Sequence, residues 1–91
     1  MSDGYEGPVR ILLSDGVLLT TGMARLEPDP EQGSWKGLLQ TLAGTAVAGK
    51  ALVVEIETPD GGRGRAQLTP AGVTGDRAIS TVTGLGAIPP F

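Results

Sequence analysis

One acidic pair and two arginines carry most of the chemical potential of this chain. Glu55 and Glu57 alternate with Val54 and Ile56, so on a strand both carboxylates share one face. Such a pair is the minimum equipment of a glycosidase, where one carboxyl must stay protonated. Here Arg63 and Arg65 follow at the same alternation, and a hairpin would set one arginine opposite each glutamate. Guanidinium neighbours hold both carboxylates ionised and remove the general acid. The segment Gly61-Gly62-Arg63-Gly64-Arg65 has the composition of an arginine–glycine nucleic-acid binder. Those segments act in basic tails with stacking aromatics, and this one faces two glutamates. Arg63 and Arg65 are therefore read as a solvated face, with contact to an anionic ligand or partner as the sharper alternative.

Three further motifs fall short for physical reasons. Glu27, Asp29 and Glu31 alternate around Pro28 and Pro30, whereas a calcium site needs six or more oxygens from one defined loop. Gly84-x-Gly86 lacks a following helix to turn its N–H groups on a phosphate; prolines follow instead. Trp35 is either core filler or one wall of a pocket at the mouth of a barrel. No catalytic, cofactor-binding or metal-binding set emerges, and the chain is expected to be non-enzymatic.

Composition narrows the classes further. The chain contains neither cysteine nor histidine, which removes disulfides, thiolate nucleophiles, the usual zinc and haem ligands and any histidine relay. Net charge is −3, from seven basic and ten acidic residues, so neither nucleic acid nor an anionic membrane is expected as the main partner. The opening MSDGYEG lacks the basic and apolar regions of a signal peptide. The most apolar window, 38–54, is interrupted by Gln40, Gly44, Gly49 and Lys50 and is too short to span a bilayer. A cytoplasmic protein is the expectation.

The elements that must position these residues are strands. Ninety-one residues make one domain, 1–91, with 1–7 as a loose leading segment. Fifteen glycines and seven prolines punctuate the chain at intervals that favour short strands over helices. With only Tyr5, Trp35 and Phe91 aromatic, the core must be aliphatic.

The clearest element is the hairpin at 51–69. Pro59-Asp60-Gly61 suits a three-residue loop with glycine in the left-handed position. That loop pairs Thr58 with Gly62. Counting outward, Glu57 meets Arg63, Glu55 meets Arg65, Ile56 meets Gly64, Val54 meets Ala66 and Leu52 meets Leu68. Loop chemistry, apolar alternation and charge all select this one register.

Before it, Pro8 opens a strand at 9–14, Asp15-Gly16 suggests a two-residue turn pairing Leu12 with Leu19, and a strand runs from 17 to 27. Gly22 marks a bend or bulge in that strand. Residues 28–33 read as an exposed loop, 34–40 as a third strand, and 41–50 as a loop with room for one helical turn. Residues 70–76 read as a loop and 77–83 as a sixth strand. Six short strands in hairpin order favour an all-β fold, a small antiparallel barrel or a two-layer sandwich. Both faces of the first hairpin carry leucine. Leu12 and Leu19, with Val17, would then cover a second copy in a homodimer or offer a face to a partner.

Several spaced residues also resemble a known family. They run Tyr5-x-Gly7-Pro8, Asp15-Gly16, Trp35-x-Gly37, Thr58-Pro59-x-Gly61 leading into Gly64-Arg65-Ala66, Val82-x-Gly84-x-Gly86 and Pro89-Pro90-Phe91. In this order they resemble an uncharacterised actinobacterial domain family whose members stand alone or sit at the carboxyl end of flavin-dependent monooxygenases. The resemblance implies a binding or accessory module working beside a flavoenzyme, and it brings no catalytic residues. Where that family tends to be aromatic before the tryptophan, this chain has Glu31-Gln32-Gly33-Ser34.

Overall fold

The computed structural model describes residues 4–45, 47 and 49–91. It is all-β among those residues, with six strands: β1 (Tyr5–Leu12), β2 (Leu18–Asp29), β3 (Ser34–Leu42), β4 (Leu52–Glu57), β5 (Arg63–Thr74) and β6 (Arg77–Gly84). All neighbours are antiparallel, in the order β1-β2-β3-β6-β5-β4, and β4 returns to pair with β1. Of the two arrangements the sequence allows, this is the closed one. No helix among the described residues is long and apolar enough to cross a membrane.

The β4–β5 hairpin has the expected register at every pair from Leu52↔Leu68 to Glu57↔Arg63. The Thr58 N–H donates to the Gly62 carbonyl at 3.0 Å, the Gly61 N–H returns to Thr58 at 2.9 Å, and Gly61 takes φ 91°. Only glycine adopts that conformation without strain.

The first hairpin uses the same loop, not the two-residue turn expected. Leu13 donates to Val17 at 2.8 Å, Gly16 donates to Leu13 at 2.9 Å, and Gly16 has φ 89°. Asp15 adds a side-chain bond, accepting the Val17 N–H at 3.1 Å. The loop is therefore Ser14-Asp15-Gly16, one residue longer. Leu12 then pairs with Leu18, and a bulge at Leu19 restores Ile11↔Thr20. The irregularity lies at Leu19, while Gly22 pairs regularly with Val9.

Three boundaries differ from expectation. β1 starts at Tyr5, so Tyr5–Gly7 join the sheet, and the Tyr5 hydroxyl donates to the Pro8 carbonyl at 2.6 Å. Pro8 sits mid-strand without harm because β4 reaches only Arg10, Ile11 and Leu12, leaving β1 with one neighbour below them. Pro28 and Asp29 belong to β2, opposite Trp35 and Ser34. Pro70–Thr74, expected as loop, extends β5 along β6 past a bulge between Pro70 and Gly72. There β5 has lost β4 as neighbour, so the missing proline N–H again falls on an edge. Gly75 and Asp76 make the two-residue turn that follows. Between β3 and β4 the described residues are turns without a helix, and Ala46 and Ala48 lie outside the described residues.

The interior is one aliphatic cluster around Trp35: Val9, Ile11, Ala24, Leu26, Leu39, Val47, Val54, Ile56, Ala66, Leu68 and Val82. Strands β4, β5 up to Leu68, and β6 alternate buried with outward residues, as a sheet with one filled side must. Closure rests on three pairs, Arg10↔Glu57, Ile11↔Ile56 and Leu12↔Glu55. Inside this seam both isoleucines are fully buried. Outside it, Glu57 lies between two arginines, accepting Arg63 Nε at 2.8 Å with Arg10 at 3.6 Å.

Ile56→Ala is expected to cost about 2–5 kcal/mol, the usual range for emptying a filled core position. Val53→Ala on the outer face of the same strand is expected to stay within about 0.5 kcal/mol. Urea denaturation of both variants checks the register; equal losses would contradict it.

Candidate functional site

Trp35 is the largest fully buried side chain, 1% exposed, and it stands at one end of the closed sheet. An indole fits there because its neighbours have almost no side chain. A Cβ on Gly84 would lie 2.6 Å from two ring atoms and 2.7 Å from a third, and one on Gly64 would lie 2.6 Å from another. Ala66 pairs with Gly84 between them. The tryptophan is thus core, 1% exposed, although it also borders a cleft of about 530 Å³ beside Ser34 and residues 83–87.

What covers it comes from the far end of the sequence. Residues 85–91 leave β6 and cross the end of the sheet. Phe91 packs edge-on against Trp35, with ring centres 6.4 Å apart and planes at 86°. Such a pair adds about 0.5–1.5 kcal/mol beyond area burial. Pro90 is buried and lies on Gly62 and Gly64, where a Cβ at either position would collide with it. The buried Thr58 hydroxyl donates to the Pro90 carbonyl at 2.8 Å. The Ser34 hydroxyl lies 3.0 and 2.7 Å from the Gly84 and Gly86 carbonyls and shares its proton between them. Trp35 Nε1 has no hydrogen-bond partner, a debt of about 1–3 kcal/mol that the packing must exceed. It faces Gly84. Gly84-x-Gly86 accordingly serves this cap, and no helix starts from it.

The other sequence-marked residues do not converge on this point. Arg63 is engaged by Glu57 at 2.8 Å and by Glu55 at 3.9 Å. Arg65 pairs with Glu55 in register, yet the ion pair runs diagonally to Arg63, and the Arg65 side chain is exposed. Glu55 and Glu57 are both held by cations, as the alternation implied. Glu27 and Asp29 lie on β2 and Glu31 in the turn after it; among the described residues no acidic group is assembled for a metal. Leu12 is 4% exposed and Leu19 half-buried against the core, so the face expected to meet a second copy is largely internal. Leu13, Val17 and Leu18 are the exposed apolar residues at the tip of that hairpin.

An apolar surface missed by sequence reasoning lies outside β2, β3 and β6. Met23 and Leu38 are about half exposed, Leu38 at 51%, and Ile79 is half-buried between the strands. Cross-strand pairs Met23↔Gln40, Arg25↔Leu38 and Gln40↔Ile79 bring them together. They line a shallow cleft of about 340 Å³. Glu6 and Arg25 form its polar border, with Glu6 Oε2 accepting from Arg25 Nε at 2.9 Å and Nη2 at 2.7 Å. That hydrogen bond and the Glu6 charge push the Arg25 guanidinium above its ordinary pKa. The signal in the sequence was Met23 and Leu38 on the outward phase of strands whose inward phase was already apolar.

The fold and these surfaces together define a small closed all-β domain with a filled interior. The chain matches no family model, no curated protein and no solved structure.

Gly84→Ala is expected to destabilise the domain by about 1–3 kcal/mol through overpacking against the indole. Gly86, with open space around it, should accept alanine within about 0.5 kcal/mol. Thermal melts of the two variants check this difference, and tryptophan emission in the first should shift to the red.

Proposed function

We propose that this domain is a non-catalytic binding or accessory module that docks a protein partner on the outer face of β2, β3 and β6. The observation that carries the reading is the half-exposed Met23 and Leu38 around a cleft bordered by Glu6 and Arg25. A solvated outer face has no need of such a strip, and an apolar centre with a polar rim is the pattern of a protein interface. A small apolar ligand beside Trp35 is disfavoured because Phe91 and Pro90 occupy that position. The resemblance noted in the sequence makes a flavin-dependent monooxygenase in an actinobacterial cytoplasm the kind of partner to try first. The second reading is a structural homodimer. It draws support from Leu13, Val17 and Leu18, exposed together at the tip of the first hairpin.

Titration of the isotope-labelled domain with a flavin-dependent monooxygenase is the direct test. Resonances of Met23, Leu38, Gln40 and Ile79 are expected to move. Met23→Ser with Leu38→Ser should abolish the response while shifting stability by less than about 1 kcal/mol. Perturbation at Leu13, Val17 and Leu18 on raising the concentration of the domain alone would favour the homodimer instead. No response on the β2, β3 and β6 face would overturn the docking surface.

A further inference from the structure

We infer that the cradle around Trp35 is a docking site for an extended proline–aromatic segment, filled within one chain by residues 88–91 and open to the same segment of a second copy. This surface is separate from the β2, β3 and β6 face.

The cradle is built for its occupant. Gly62 and Gly64 leave no room for side chains because Pro90 lies on them, and Thr58 supplies a buried hydroxyl to the Pro90 carbonyl at 2.8 Å. The Trp35 indole receives the Phe91 ring edge-on. One stacking surface, one donor and a flat glycine floor are the parts that recognise a short, stiff Pro-Pro-aromatic stretch. Proline-rich segments suit such grooves because little conformational freedom is lost when they dock.

The connection to this occupant is, by contrast, lightly held. After Gly86, where an added Cβ would meet open space, Ala87 and Ile88 run over the surface. Ile88 is 80% exposed and Leu85 49%. The connector stands clear of the β2–β3 turn, leaving a cleft of about 530 Å³ lined in part by Gln32, Ser34, Thr83 and Leu85. The last side-chain tie before Pro90 is the Ser34 hydroxyl on the Gly84 and Gly86 carbonyls. Four residues beyond Gly86 can reach roughly 13 Å when extended. Two copies meeting end to end can therefore exchange residues 88–91, each filling the other's cradle with the contacts already present in one chain. Exchange of an identical element is a low-cost route to a dimer.

Sedimentation equilibrium of the full chain from micromolar to millimolar concentration is the first test, with a rise from one to two chain masses expected. Pro90→Ala with Phe91→Ala should remain at one mass throughout. Met23→Ser with Leu38→Ser should dimerise as the parent does, which separates this site from the outer face. A parent chain that stays at one mass overturns the exchange, and so does a dimer that survives loss of Pro90 and Phe91. A second measurement needs no variant and so is immune to a failure to fold. In an equal mixture of labelled and unlabelled parent chains, an isotope-filtered spectrum should show Trp35 of one chain touching Phe91 of the other. Absence of that contact at millimolar concentration would also overturn the proposal.

Discussion

Closure of the sheet depends on three residue pairs between β1 and β4. Every other junction in the ring runs through six pairs or more. The short seam is centred on Ile11 and Ile56, which meet inside with no exposed surface. Across its outer side Arg10, Glu57 and Arg63 stand in one row, though exposed pairs of this kind add only about 0.2–1 kcal/mol each. The hydrophobic contact therefore holds the ring, and the charges set its alignment. Without the seam, β1 and β4 would each present a full edge, the feature that invites unwanted pairing. With it, the remaining edges are short, and those in β1 and β5 carry a proline, Pro8 and Pro70.

Closure also dictates what the domain can do. Six strands enclose a narrow interior, and one tryptophan fills its end only because Gly64, Ala66 and Gly84 stand opposite. Aliphatic side chains occupy the rest. Chemistry is thereby pushed to the outside, where arginines and glutamates neutralise one another and the distinctive features are apolar: the Met23–Leu38 strip and the connector bearing Leu85 and Ile88. The proposed recognition of another chain rests on these apolar features.

The parts legible in the sequence were those where independent signals coincided. In the β4–β5 hairpin a proline–aspartate–glycine loop, alternating apolar residues and facing charges all pointed to one register. In the first hairpin Asp15-Gly16 alone points to a two-residue turn, and no facing charge pair corrects that reading to the three-residue loop the chain adopts. Leu12, which reads as surface, is 4% exposed beside the β1–β4 seam, where it pairs with Glu55. Pro28 and Pro70 stand at the start of segments that read as loops; both lie within strands here, and Pro70 lies on an edge. The cap on Trp35 was not readable, since Phe91 lies 56 positions away and no periodicity links them. The outer apolar strip was in plain view but became a surface only once β2, β3 and β6 were known to be neighbours.

The account stands or falls on the junction of β1 with β4. A nuclear Overhauser spectrum of the labelled domain measures it directly. Cross-strand contacts between the backbones of Ile11 and Ile56, with slowly exchanging amides in β1 and β4 near them, are the predicted result. An open sheet, with no contact between those two residues and rapid exchange along β4, would contradict it.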